Sequence, residues 1–231
     1  IAERLGDNTY GKVSNIYKFE KIKIAKREAL EANPEVEFID LGVGEPDNKA
    51  DKSIVDKLYE ESLKKENRFY SDNGILGFKN SASEYMKERF QVDLEPDTEI
   101  NHAVGTKNVF ALIPHMFINE GDITLMLSPG YPVMGTATKY LGGEVYNLPL
   151  KEENGFLPKL DEIPADIRKK AKLLYLNYPN NPTGVVAPKE FLESAIKFAK
   201  ENNIIIHSFT FCILFTTQPR MMLVSTPSKT S

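Results

Sequence analysis

The stretch Leu173-Leu-Tyr-Leu-Asn-Tyr-Pro-Asn-Asn-Pro-Thr-Gly184 decides the fold. Its first four residues are an apolar run of strand length, and Asn180 to Gly184 is built from turn-forming residues. Pro188 then suits the first position of a helix, because its φ is already helical and it has no N–H to leave unpaired. That helix runs to about Asn202, with Phe191, Leu192, Ala195, Ile196, Phe198 and Ala199 as a stripe for burial. Ile204-Ile-Ile206 follows as a fully buried strand. Strand, turn, helix and strand make a βαβ unit, whose two strands must lie parallel.

Working outward, the same alternation continues upstream. Ile100 to Val104 reads as a strand, Thr106 to Ile118 as a helix, and Ile123 to Leu127 as a strand closed by Ser128-Pro-Gly130. Pro132 to Tyr140 is helical, Gly142-Gly143 stops it, and Glu144 to Leu148 is the next strand. The fold class is therefore α/β: a mostly parallel sheet with helices on both faces, in three layers. Nearer the start, Ser14 to Asn33 carries Ile16, Phe19, Ile22, Ala25 and Ala29 at helical spacing. Phe38 to Val43 runs into a turn. Lys52 to Lys64 reads as a helix, and so does Ile75 to Phe90, with Leu76, Phe78, Ala82, Tyr85, Met86 and Phe90 on one face. Lys151 to Lys172 is polar and reads as a surface connection. There is no internal repeat.

Composition narrows the function. The chain has 231 residues, 41% of them apolar and 27% charged, which suits a globular protein with a sizeable core. A net charge of −4 argues against a nucleic-acid surface. No run approaches the roughly 18 apolar residues of a membrane span, and Ile1 to Tyr10 does not resemble a secretory signal. The single cysteine, Cys212, excludes an internal disulfide and fits a reducing, cytoplasmic setting. Three histidines and one cysteine show no metal-ligand spacing, and His102 and His115 read as structural. The chain starts at Ile1 rather than Met, so part of its start is expected to be missing.

Three turns carry chemistry. In Asn181-Pro-Thr-Gly184, proline and glycine shape a turn through which the Asn181 amide can face a cleft. Gly105-Thr-Lys107 combines a helix N-terminus, a hydroxyl and a cation, the ingredients of an anion site. Pro129-Gly-Tyr-Pro132 holds Tyr131 where it can stack on a flat ring. Each alone is also an ordinary turn. Neither Gly-x-x-x-x-Gly-Lys nor Gly-x-Gly-x-x-Gly occurs, so a nucleotide is disfavoured. Ligands of parallel sheets bind beyond the carboxyl ends of the strands, where all three turns fall. Together they suit a phosphorylated aromatic cofactor.

Leu41-Gly-Val-Gly-Glu-Pro-Asp47, Tyr70 ahead of Gly74-Ile75, Gly105-Thr-Lys107, Ser128-Pro-Gly-Tyr-Pro132 and Asn180-Asn-Pro-Thr-Gly184 together resemble the class I/II aminotransferases. The likeness covers about residues 10 to 207 and is greatest to LL-diaminopimelate aminotransferases and their close relatives. It implies the fold-type-I architecture, pyridoxal 5′-phosphate as cofactor, and amino-group transfer between an amino acid and a 2-oxo acid in amino-acid biosynthesis. By the same resemblance, Gly105, Thr106 and Lys107 hold the cofactor phosphate, and Tyr131 stacks on the pyridine ring. Asn181 bonds the ring's 3-oxygen and lies near the substrate carboxylate, for which Gly44 leaves room. Tyr17 contacts substrate. Tyr70 reaches the phosphate of a neighbouring subunit, implying a homodimer.

The departures from that pattern are as informative. The family places an aspartate after the strand matching Asn203 to Ile206, and it keeps the pyridine nitrogen protonated. Here His207 and Ser208 follow, without a carboxylate, and the tyrosine beyond is absent. The Schiff-base lysine of the family stands in a Ser-x-Ser-Lys context, with Gly-x-Arg-x-Gly after it. Ser228-Lys229 lacks that setting, so no residue is assigned as the catalytic lysine. The arginine that grips the substrate carboxylate is missing too. The expected organisation is a segment 1–45 belonging to a small domain, a partial cofactor domain 46–207 and an aberrant tail 208–231. After Glu201 there is no Asp or Glu, against all 33 in the first 201 residues. Out-of-frame translation or a misjoined gene end explains this, and an unusual genuine terminus is the alternative. The chain is expected to be a truncated N-terminal half, inactive alone. A non-catalytic cofactor- or phosphate-binding fragment, or a lyase or decarboxylase on the same fold, are the alternative readings.

Overall fold

The computed structural model of the chain describes residue 3, residues 18–40 and residues 48–209. It divides into two compact units, Ile1–Ser71 and Asp72–Ser231. In the first, α1 spans Lys18–Ala32 and α2 spans Lys52–Ser62. The α2 start is capped by the Asp51 carboxylate, which accepts from the Ser53 N–H at 2.8 Å.

In the second unit α3 (Leu76–Phe90), α4 (Pro96–Glu99) and α5 (Thr106–Phe117) precede a run of alternating elements. These are β1 (Ile123–Ser128), α6 (Val133–Tyr140), β2 (Glu144–Pro149), α7 (Ala165–Lys170), β3 (Ala171–Asn177), α8 (Lys189–Asn202) and β4 (Ile205–Phe209). The strands lie in the order β2-β1-β3-β4, and every neighbouring pair is parallel. Strands covered on both faces read as continuous apolar runs, and β1 and β3 do so. Leu125, Leu127, Leu174 and Leu176 pack with Ala195, Phe198 and Ala199 of α8 on one face. Met126, Leu173 and Tyr175 pack with Phe110 of α5 and Met134 of α6 on the other. Helix, sheet and helix are the three layers expected. The turn into β2 depends on Gly143: a Cβ there would stand 2.6 Å from Ile118 Cγ2 and 2.9 Å from Thr138 Cγ2.

Several expectations need correction. Ile100–Val104 is not a strand: it pairs with no strand among the described residues, and the His102 N–H bonds the Asn73 carbonyl at 3.0 Å instead. On the α3 face, Leu76, Phe78 and Tyr85 are exposed, while Ala82, Met86 and Phe90 are half-buried. That helix leans on α4 and the segment after it, where Phe78 meets His102 edge-on at 5.6 Å, rather than on the sheet. Residues 151–172 do more than connect. They contain α7, and Leu160 and Ile163 reach the α8-side core, because a polar stretch with apolar residues three apart can fold down onto it. The triplet Ile204–Ile206 is not fully buried: Ile205 is 41% exposed, because β4 has a strand on one side only among the described residues. Pro188 stands one position earlier than expected, as the cap residue before Lys189.

Leu174 is fully buried at the centre of the sheet. Leu174→Ala leaves a cavity, and urea unfolding should show a loss of about 2–5 kcal/mol. His207 stacks on Tyr175 at 6.2 Å with its Nε2 buried and without a partner among the described residues, and burial pushes its pKa down to about 4 from the ordinary 6.5. Between these values the unfolded chain binds the proton and the folded chain does not, so stability rises with pH across that window. Lowering pH from 6.5 to 4 should cost on the order of 3 kcal/mol through this group. Chemical unfolding of His207→Phe at pH 7 and pH 4.5 should show a clearly smaller difference than the wild-type chain.

Candidate functional site

The strand order contains a switch point. From β1 the chain turns into α6 on one face and goes on to β2; from β3 it turns into α8 on the opposite face and goes on to β4. Because β1 and β3 are hydrogen-bonded neighbours, their outgoing turns diverge at the carboxyl ends of the strands, the usual ligand position in open α/β sheets. Tyr131 lies on the first turn and Asn181 on the second.

Two buried asparagines fix the second turn. The Asn177 carboxamide accepts from the Asn181 N–H at 3.1 Å and donates to the Pro179 carbonyl at 3.3 Å. Asn180 Oδ1 accepts from the Thr183 N–H and hydroxyl at 3.2 and 2.9 Å. The Asn180 carbonyl accepts from the Gly184 N–H at 2.7 Å, closing the loop. The bonds before Pro129, Pro179 and Pro182 are cis. Asn181 is thereby held by its backbone while remaining exposed.

The third turn opens α5. Gly105 has φ +75° and open space where a Cβ would stand, and it offers the helix no side-chain cap. The first N–H groups of α5 therefore have no side-chain acceptor from the capping position, and the exposed Thr106 and Lys107 flank them. Such an end attracts an anion through its N–H groups and the helix dipole. The turn is tightened by Asn108, whose Nδ2 donates to the Val104 carbonyl at 2.7 Å.

Behind these turns lies a ring cluster that sequence reasoning did not single out. Phe110 of α5 meets Tyr131 edge-on at 6.2 Å, Tyr175 of β3 at 5.8 Å and His207 of β4 at 5.1 Å. Among the described residues, the Tyr175 hydroxyl, His207 Nε2 and Asn180 Nδ2 are buried without a hydrogen-bond partner. Burial, and then the nearby Tyr131, push the Tyr175 hydroxyl well above its ordinary pKa, so it stays a neutral donor. A tyrosine in an otherwise apolar strand, and a histidine ending an isoleucine run, were the available signals. Asn177 had none beyond its place in an asparagine-rich turn.

The other expected residues fall elsewhere. Tyr70 belongs to the first unit and is fully exposed. Tyr17, Gly44, Cys212 and Lys229 lie outside the described residues, as does the tail from 210 on. His102 packs on Phe78, and His115 bonds the Ala111 carbonyl at 3.1 Å within α5, both structural roles. Among the described residues no group of three or more His, Cys, Asp or Glu could hold a metal, and no helix is long and apolar enough to cross a membrane.

Known proteins resemble this chain. The family described as "Aminotransferase class I and II" matches residues 36–208. The LL-diaminopimelate aminotransferase of Methanocaldococcus jannaschii is 54% identical over 207 residues, covering 89% of this chain and 50% of that protein. The enzyme of the same name from Methanococcus maripaludis is 52% identical, with the same coverage. Among solved structures, apo-BacF from Bacillus subtilis superposes with a TM-score of 0.78 at 34% identity, over 84% of this chain and 49% of its own. The chain thus spans about half the length of the curated relatives it matches. Class I/II aminotransferases work with pyridoxal 5′-phosphate, and the architecture here is theirs: a parallel sheet with helices on both faces. With the family pattern lying across most of its length, this chain belongs to the class I and II aminotransferases.

Proposed function

We propose that this chain supplies the phosphate grip and ring platform of a transaminase of the LL-diaminopimelate type. Its substrates in this reading are an amino acid and a 2-oxo acid. The observation that carries it is the switch point: two diverging turns at the tips of β1 and β3 present Tyr131 and Asn181, with an uncapped helix end close behind.

The residues fit a phosphorylated pyridine at two of its three ends. Gly105 leaves room for an anion at the α5 N-terminus, where Thr106 and Lys107 add a hydroxyl and a cation. Tyr131 supplies a half-buried ring, and Asn181 a carboxamide for a ring oxygen. At the third end β4 closes on His207, Ser208 and Phe209, so no carboxylate stands there to hold a proton on a pyridine nitrogen. When bound, pyridoxal 5′-phosphate supplies an electron-accepting ring for chemistry at the amino acid's α-carbon. The chain's own residues bind and orient; none of its lysines stands in the family's Ser-x-Ser-Lys setting.

Binding without turnover is therefore the proposed behaviour of these 231 residues alone, since loss of a nucleophile normally abolishes such chemistry. The same reading takes residues 1–45 as contributing to a small domain, 46–207 as part of the large domain, and 208–231 as an out-of-frame tail. A homodimer is part of it, with the exposed Tyr70 serving the partner's phosphate, as are Tyr17 and Gly44 at the substrate and a cytoplasmic place in amino-acid biosynthesis.

Tyrosine fluorescence of the chain should be quenched saturably by pyridoxal 5′-phosphate. Affinity should fall roughly ten- to a hundredfold in Lys107→Ala, which removes a charged hydrogen bond, and roughly tenfold in Tyr131→Ala. The wild-type chain should form no product from any amino acid and 2-oxo acid pair. Turnover, or quenching indifferent to both substitutions, contradicts the proposal.

A further inference from the structure

Phe110 is 3% exposed. It lies four residues after Thr106 and three after Lys107, so its side chain stands one turn down the same side of α5. Its ring is also where four elements meet. Tyr131 from the tip of β1 is 6.2 Å away at 70°, Tyr175 of β3 is 5.8 Å at 76°, and His207 of β4 is 5.1 Å at 76°. All three are edge-to-face arrangements, which the ring quadrupoles favour and which fix orientation as well as distance. Tyr175 and His207 also stack on each other at 19°, so Phe110 packs against an already ordered pair.

Two ends of one ligand depend on elements that share no backbone hydrogen bonds. The phosphate would be held by α5, the ring by the turn after β1. Side-chain packing helps to set their spacing, and Phe110 joins them directly, being part of the first and in contact with the ring of the second.

We propose that Phe110 is a positioning residue that holds the Tyr131 ring in register with the α5 N-terminus, so that phosphate and pyridine of one cofactor are met together. This rests on the cofactor reading given under Proposed function. Phe110 acts through Tyr131, and its removal acts on ring orientation while leaving the anion site at Gly105 to Lys107 in place. Leucine and methionine fill much of the same volume but present no aromatic edge, so both variants break the register without opening a large cavity.

The test uses the whole 231-residue chain with pyridoxamine 5′-phosphate, which carries no aldehyde to react with surface lysines. Induced circular dichroism of the pyridine band reports ring orientation. Competition by inorganic phosphate reports the anion site separately. The 19F spectrum of the 3-fluorotyrosine-labelled chain, with the Tyr131 line assigned from Tyr131→Phe, reports the Tyr131 environment without ligand. In Phe110→Leu and Phe110→Met the dichroism per bound ligand should fall severalfold, the Tyr131 line should shift, and the inorganic phosphate constant should stay within about twofold. A purely structural role would weaken both ligands alike and leave the dichroism per bound ligand unchanged. That result, or an unmoved Tyr131 line in both variants, overturns the role of Phe110 alone. Absence of pyridoxamine 5′-phosphate binding by the wild-type chain overturns the cofactor reading, and the role of Phe110 toward that ligand with it.

Discussion

The parallel pairing of β1 with β3 is the constraint on which the rest depends. The two strands pair from Ile123 to Met126 against Ala171 to Tyr175, yet the segments leaving them climb opposite faces of the sheet. Their mutual pairing ends at Met126 and Tyr175, and beyond those residues the two chains part. A crevice follows from topology alone, before any side chain is considered. The apolar runs of β1 and β3 exist because both faces are covered, and the covering helices are what carry the turns to their places.

The crevice would be of little use if its rims were soft. One rim is stiffened by polar bonds, with Asn177 and Asn180 satisfying the backbone of the Pro179–Gly184 loop from beneath. The other is stiffened by rings, since Tyr131 meets Phe110 and sits on the core that includes Met134 and Tyr175. Polar networks and edge-to-face rings each specify a geometry, where generic apolar contact specifies only a volume. The Tyr175 hydroxyl and Asn180 Nδ2, buried without a hydrogen-bond partner among the described residues, are two of the polar groups of that core.

Most of the sheet was legible because its helices and strands carry local signals. The stripe on α8, the stop at Gly142-Gly143 and the apolar β1 and β3 are each encoded within their own dozen residues. What was not legible was non-local. Ile100–Val104 has strand composition, but a strand needs a neighbour, and none lies beside it among the described residues. Leu160 and Ile163 stand in a stretch whose charge hides the two residues that reach the core. At the site, Thr106, Lys107, Tyr131 and Asn181 announced themselves through turn chemistry. Phe110, Tyr175, Asn177 and His207 did not, because a phenylalanine in a helix or an asparagine ending a strand acquires meaning only from what packs beside it.

The central claim is that turns far apart in sequence serve one ligand. Amide NMR of the isotope-labelled chain during titration with pyridoxamine 5′-phosphate tests it directly. The account predicts that the amides of residues 105–108, 130–131 and 180–184 move together, with one shared saturation curve. Shifts scattered over surface lysines, or separate curves for the three turns, would contradict it.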